Sequence, residues 1–284
     1  MSGGGSALMC APPSGIELVD KIALNGNRDF GIDVIRAQPG TYACGMGLGI
    51  MLLDEVYPGF PGDVRNASAY PFPIQYDVVE GVDIDRLVFQ VDKSACLKPI
   101  LQAARRLERM GCRAISAECG NFAFFQKEVA AEVSVPVFMS SLLQVPLAQR
   151  LIESTKRVGI VCAFVRQLTE HHLLSVGIHP ESNLAFMGAC EDYSCSEFEN
   201  LWSAGKRPAV PTASFERAEA EFVNACKDFV SKNPDLGALI FSCTGLQSFA
   251  RSVQHEVRLP VFSWSTLLDY AFSVVVHREH YGHV

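Results

Sequence analysis

One stretch constrains the fold of this chain more than any other, residues 112–141, CRAISAECGNFAFFQKEVAAEVSVPVFMSS. A short apolar run, Ala114–Ala117, has strand length. A polar break, Glu118-Cys119-Gly120-Asn121, follows it. Apolar residues then recur at helical spacing at Phe122, Phe125, Val129 and Val133, with Gln126, Lys127, Glu128 and Glu132 between them. A second strand over 136–139 ends at Ser140-Ser141. This is a βαβ unit, which requires a parallel strand pair with a right-handed crossover. Cys119 falls at the C-terminal end of its strand, ahead of a helix, which is where open α/β sheets bind ligands. Backbone N–H groups and the positive end of a helix dipole there favour thiolate.

The same grammar recurs near the C-terminus. Residues 236–242, LGALIFS, form an expected buried strand, followed by Cys243-Thr244-Gly245 and a helical pattern through Leu246, Phe249, Val253 and Val257. A strand over 259–263 completes the second unit. Two similar halves, each offering one thiol at a strand end, predict a two-lobed α/β enzyme with a cleft between facing thiols.

Strands and helices alternate along the rest of the chain, so the expected fold class is α/β with parallel sheets. Strands are expected at Leu48–Leu53, Ile74–Val79, 157–163 and 184–187, and amphipathic helices at 95–110, 142–153, 165–176, 214–231 and 265–277. Gly111 and Gly177 are expected helix stops. Residues 1–31 look like a flexible arm of small, Gly and Pro-rich sequence, and REHYGHV at the C-terminus like a frayed tail. The change of lobe is placed within 146–155.

Bulk composition excludes several classes. The 284 residues carry a formal charge of −7 with dispersed basic residues, so no basic, aromatic-interleaved patch points to nucleic acid. No apolar run approaches the roughly 20 residues that span a bilayer. The N-terminus lacks a basic and a long apolar region, so no signal peptide is expected. The cysteines, ten in number, have irregular spacings, and a chain this long needs no disulfide staples, which argues for a reducing, intracellular, cytoplasmic setting, with an organelle such as the chloroplast as the other possibility. The sequence has no GxGxxG, P-loop or GxSxG motif, and no nucleotide, cofactor or metal is expected. Cys190 and Cys195 with His171 or His172 are the nearest thing to a metal set, without a second pair at zinc spacing. Cys162 and Cys226 are read as core.

Chemistry therefore concentrates on Cys119 and Cys243 as the catalytic pair. Facing thiols suit proton removal and return at a carbon beside a carboxylate, with the anion stabilised by preorganised donors. Backbone N–H groups of the two turns, at Gly120 and its neighbours, and the side chains of Asn121, Ser140, Ser141 and Thr244 are the candidate donors. The loop 58–72, rich in turn formers, leaves a strand end and brings Tyr57, Asp63, Arg65, Asn66 and Tyr70 as candidate binding groups; a surface Ω-loop closed by its own aromatics is the alternative.

The segments Cys119-Gly120-Asn121-Phe122, PVFMSSLLQVP and Ser242-Cys243-Thr244 resemble the two cysteine motifs of the aspartate/glutamate racemase superfamily. Within it, PGFPGDVRNASAYPFP, CGNFAFFQ and PVFMSSLLQ are similar to the algal dimethylsulfoniopropionate lyases. The resemblance covers about residues 32–281. Bulky Asn121 and Phe122 depart from the small residues the pattern has after its first Cys-Gly. The resemblance implies two pseudo-twofold lobes with parallel four- to five-stranded sheets, residues 32–145 plus 260–284 forming the first and 146–259 the second. It also implies a small zwitterionic sulfonium carboxylate as substrate, no membrane or nucleic-acid partner, and a homo-oligomer, dimer or tetramer. The implied reaction is cofactor-free β-elimination, with Cys243 as base, Cys119 as partner thiol, and Tyr57, Tyr70, Phe122 and Trp264 as candidate faces for the sulfonium. An amino-acid or hydantoin racemase would use the same two thiols. A non-catalytic binding protein for small carboxylates would keep the fold and use neither.

Overall fold

The computed structural model describes residues 39–203 and 206–277. The expected arm and the C-terminal REHYGHV lie outside them. Strands β1 (Leu48–Leu53), β2 (Ile74–Val79), β3 (Ala114–Ala117) and β4 (Val137–Phe138) form one parallel sheet in the order β2-β1-β3-β4. Strands β5 (Arg157–Cys162), β6 (Leu184–Gly188), β7 (Leu236–Phe241) and β8 (Val261–Phe262) repeat that order, β6-β5-β7-β8, in a second parallel sheet. The strand order reverses beside β1 and β3 in one sheet and beside β5 and β7 in the other. The two thiols therefore leave the C-terminal ends of β3 and β7, where the topology opens a crevice.

Eight α-helices cover the sheets: α1 (Ser94–Arg109), α2 (Gln126–Glu132), α3 (Val145–Leu151), α4 (Glu170–Ser175), α5 (Ser196–Trp202), α6 (Phe215–Lys232), α7 (Ala250–Val257) and α8 (Trp264–Val275), counted among the described residues. Helix α1 buries Ile100, Ala103, Ala104 and Leu107, the stripe its periodicity predicts. It stops at Gly111, whose φ of 82° lets Cys112 N–H return to Leu107 O and Gly111 N–H to Glu108 O.

Four expected helices begin instead with a 3₁₀ turn: Gly120–Phe125, Ser141–Gln144, Val165–Gln167 and Thr244–Phe249. In the two thiol loops the chain leaves the strand extended at the cysteine, and Phe122 N–H and Leu246 N–H close on Cys119 O and Cys243 O at 3.0 and 3.3 Å. Apolar spacing does not separate a three-residue turn from an α-turn over so short a run.

The last helix of each half crosses to the other sheet. Helix α3 follows β4 of the first sheet, yet Val145 and Ala148 pack with Val158, Ile160 and Ile240 of the second. Helix α8 follows β8 of the second sheet, yet Trp264, Leu267, Leu268 and Ala271 pack with Leu48, Ile50 and Ala114 of the first. The expected placement of all of 260–284 in the first lobe is corrected here. Val261 and Phe262 pair with Leu239 and Ile240, because the right-handed crossover through α7 returns the chain beside β7. Only the helix crosses over.

The lobes meet at the thiol loops. Thr244 Oγ1 donates to Glu118 O at 2.6 Å, and Ser141 Oγ to Phe241 O at 2.7 Å. Gly120 lies so close to Ser242 that an added Cβ would sit 2.3 Å from its carbonyl oxygen. Gly120→Ala is therefore expected to force the loops apart and to cost at least ~1–3 kcal/mol. Chemical denaturation reads this directly, and an unchanged midpoint would show that the loops separate freely.

Candidate active site

Cys119 and Cys243 line one cavity. It encloses about 50 Å³ of room for water centres, several times the roughly 10–15 Å³ one water needs. Each sulfur accepts the backbone N–H two residues on, from Asn121 and Gly245, and Asn121 Nδ2 stands 3.9 Å from Cys119 Sγ. These donors favour thiolate, but burial outweighs them. It pushes Cys119 up to about 11 and Cys243 well above the ordinary thiol value, the nearness of Cys119 adding to the latter. Burial therefore opposes the thiolate that the turn N–H groups alone would favour.

Tyr57, Gly120, Asn121 and Thr244 join the thiols in the cavity wall. The other candidates lie outside that wall. Ser140 is buried and accepts from Leu142 N–H as a turn cap, and Ser141 is committed to Phe241 O. Trp264 is fully buried, its Nε1 donating to Ser242 O at 2.9 Å, so it braces the Cys243 loop from behind. Asp63 accepts from Arg65 N–H at 2.8 Å, and Tyr70 accepts from Gln247 Nε2 at 2.6 Å. Both hold loop 58–72 in place. Phe122 is fully buried in the core. Of the four candidate aromatic faces only Tyr57 meets the cavity; Phe164 and Trp202 supply the others.

Sequence reasoning missed a charged layer beside the thiols. Glu118, which lines the cavity, has its carboxylate gripped by Arg65 through Nε and, at 2.7 Å, the terminal nitrogen, and also accepts Leu53 N–H. The Arg65 guanidinium donates to Glu55 O at 2.8 Å and lies 4.1 Å from the centre of the Tyr57 ring. Burial raises Glu118 to about 6 against the lowering influence of Arg65. The pair is far apart in sequence and carries no local pattern. Cys162, read as core, also borders the cavity, at the end of β5 where Leu53 ends β1. Matching the two halves strand by strand would have exposed that equivalence.

The described residues contain no group of His, Cys, Asp and Glu that could hold a metal. His171 meets Phe124 O, and His172 caps Thr169, so neither joins Cys190 and Cys195. No helix among them is long and apolar enough to cross a membrane.

No family model matches the chain. The dimethylsulfoniopropionate lyase of Durusdinium sp. clade D is 27% identical over 244 residues, covering 83% of this chain and 77% of that protein. Dimethylsulfoniopropionate lyases 3 and 6 of Emiliania huxleyi (strain CCMP1516) are each 26% identical over 247 residues; the match covers 83% of this chain but only 61% of their length. The chain is a relative of the dimethylsulfoniopropionate lyases. Its fold is shared with arylmalonate decarboxylase and with glutamate and allantoin racemases. A liganded double mutant of arylmalonate decarboxylase superposes with a TM-score of 0.54 at 15% identity, covering 83% of this chain and 94% of that one. Allantoin racemase from Klebsiella pneumoniae gives 0.50 at 16%, covering 81% and 88%. These structural likenesses establish the fold alone.

The Arg65–Glu118 pair yields a test. Arg65→Met leaves a buried carboxylate without its cation and is expected to cost about 3–5 kcal/mol at neutral pH. Folded Glu118 holds its proton more tightly than an unfolded glutamate, so its contribution is most favourable at low pH and is lost as pH rises through about 6. Removing Arg65 raises that value further. The deficit should therefore be smallest in mild acid and grow towards neutral pH, as denaturation at a series of pH values would show. A deficit independent of pH would mean the pair is not the source.

Proposed function

We propose that this protein cleaves dimethylsulfoniopropionate to dimethyl sulfide and acrylate. The observation that carries the reading is the pair of thiols at equivalent strand ends on one small cavity, in a relative of lyases named for that substrate. A thiolate takes the proton from Cα. Its electron pair forms the Cα–Cβ double bond, and the Cβ–S bond breaks. The sulfonium leaves as neutral dimethyl sulfide, and the carboxylate remains on acrylate. No redox change occurs, and every electron is accounted for without a cofactor. A racemase must return the proton to Cα; elimination need not, so the second thiol can stay protonated and hydrogen-bond the substrate carboxylate.

Asn121 Nδ2 carries a second N–H besides the one directed at Cys119 Sγ, and that donor can serve the carboxylate. Tyr57, Phe164 and Trp202 offer faces to the sulfonium. Two assignments of the thiol roles follow. The family resemblance implies Cys243 as base. The surroundings favour the exchanged roles: the Asn121 donors and the Lys93 ammonium ease ionisation of Cys119, whereas the groups around Cys243 other than Gly245 N–H oppose it.

Incubation with dimethylsulfoniopropionate should release dimethyl sulfide into the headspace with equimolar acrylate. Exchange of the Cα proton without product would favour the racemase reading, and neither outcome the binding-protein reading. Cys119→Ser and Cys243→Ser should each lose at least ~100-fold in turnover, since a hydroxyl cannot supply the base. In heavy water, the variant lacking the base should neither eliminate nor exchange; the variant lacking only the partner retains a base for slow exchange. Full activity in either variant would overturn the two-thiol mechanism.

The rate should also rise with pH. Burial holds both thiols protonated at neutrality, and below its pKa a thiol gains about tenfold in thiolate per pH unit. kcat/KM should climb from neutral to mildly alkaline pH. A decline over that range, with the fold intact, would rule out a thiolate base.

A further inference from the structure

A buried lysine stands behind the cavity wall on the Cys119 side. Lys93 immediately precedes α1 and is 4% exposed. Its Nζ donates to Gln90 O at 2.8 Å and to Val88 O at 3.3 Å. Buried ammonium groups are ordinarily paired with a carboxylate. Burial lowers the pKa of Lys93, and the acidic groups that act against that are the thiols of Cys96 and Cys119. Val88 belongs to a π-helical turn, Asp85–Phe89, that packs on the Gly120–Phe125 turn, and its side chain lines the cavity with Cys119. π-Turns are rare and concentrate at functional sites. Through its bond to Val88 O, the Lys93 ammonium is tied to the backbone of a wall residue.

We propose that Lys93 is a positioning residue whose buried ammonium sustains the thiolate of Cys119 and thereby singles out Cys119 as the base. That Cys119 serves as base rests on the elimination proposed above; the charge effect on its thiol does not. The other groups facing Cys119 are Glu118 on its own strand end, Tyr57 beyond β1 and Cys243 from the opposite lobe. Glu118 opposes ionisation of Cys119 and is itself held by Arg65, while the Asn121 donors assist it. His172, on the far side of Lys93, is driven down to about 3 by burial, with Lys93 adding to the effect, so it stays neutral through the working range. Around Cys243, burial leads and Cys119, Asp63 and Cys190 add to it in opposing ionisation, with the Gly245 N–H acting the other way.

The test is thiol reactivity, which is independent of any substrate. Iodoacetamide modification of Cys119 and Cys243 is followed by peptide mass spectrometry across a pH series in the wild type, Lys93→Met and Lys93→Arg. Cys119 should react at lower pH than Cys243 in the wild type. Lys93→Met should move the Cys119 curve to higher pH, slowing it about threefold or more at mildly alkaline pH and leaving Cys243 in place. Lys93→Arg, which keeps the charge, should restore the wild-type curve. Superposable Cys119 curves for wild type and Lys93→Met overturn the proposal, as does a wild type in which Cys243 reacts first. If Lys93→Met fails to fold, Lys93→Gln replaces it, and the order of the two thiols in the wild type still decides. A shifted curve in a protein that does not cleave dimethylsulfoniopropionate would remove the elimination and leave the charge effect standing. Cleavage with an unshifted curve would remove Lys93 alone.

Discussion

The contact between the two thiol loops is the constraint on which the cavity depends. The backbone of Gly120 lies against the carbonyl of Ser242, and the hydroxyl of Thr244 closes on the carbonyl of Glu118. Each loop thus satisfies or abuts the residue just before the other loop's cysteine. Both interactions use backbone atoms at strand ends, whose positions the sheets already dictate. The distance between the loops is consequently set by the lobes as rigid bodies. The exchange of α3 and α8 between the sheets braces the same junction from outside: Trp264 at the head of α8 donates to the very carbonyl that Gly120 meets.

Burial of the two thiol groups raises the cost of charge on them. Both thiols rest protonated, and the carboxylate that borders them is neutralised by a guanidinium stacked on Tyr57. A zwitterionic substrate fits such a place better than a simple anion. Under the elimination proposed above, its positive end would compensate a thiolate formed beside it, so that the base would be easier to generate with substrate bound than without. In that proposed reaction the thiolate–sulfonium charge separation would then disappear, because the sulfonium would leave as a neutral sulfide. The low dielectric that disfavours the resting thiolate favours that loss of charge.

The sheets were legible in the sequence because their signal is local. β1, β2 and β3 fall at the expected residues, since buried parallel strands are continuous apolar runs bounded by turn formers. The positions of Cys119 and Cys243 followed from the same runs. What was not legible is set by contacts across sequence. Arg65 finds Glu118 only once loop 58–72 folds over the end of β1. The π-turn that brings Val88 to the cavity has no period of its own to detect. Trp202 reaches the wall as the last residue of α5, a helix of seven residues. Ser140, Ser141 and Trp264 were drawn towards the site by adjacency in sequence, and the structure uses their polar atoms as struts beneath it.

The two thiols occupy equivalent places in the topology and unequal places in chemistry. After Cys119 come Gly120 and Asn121; after Cys243 come Thr244 and Gly245, the order of small and polar residues reversed. The exchange has physical consequences on both sides. Asn121 adds a side-chain amide near the Cys119 sulfur that glycine cannot provide. Gly245 leaves room for the Trp202 indole, where an added Cβ would lie 2.3 Å from a ring carbon, so the Cys243 side of the cavity is walled by an aromatic face. Lys93 adds a cation on the Cys119 side. A racemase must let its two thiols trade roles with each substrate enantiomer, which favours matched surroundings. An elimination asks one thiol to ionise and the other to remain a donor. The difference between the halves, built from residues at identical topological positions, therefore bears on the choice between those chemistries more directly than the shared fold does.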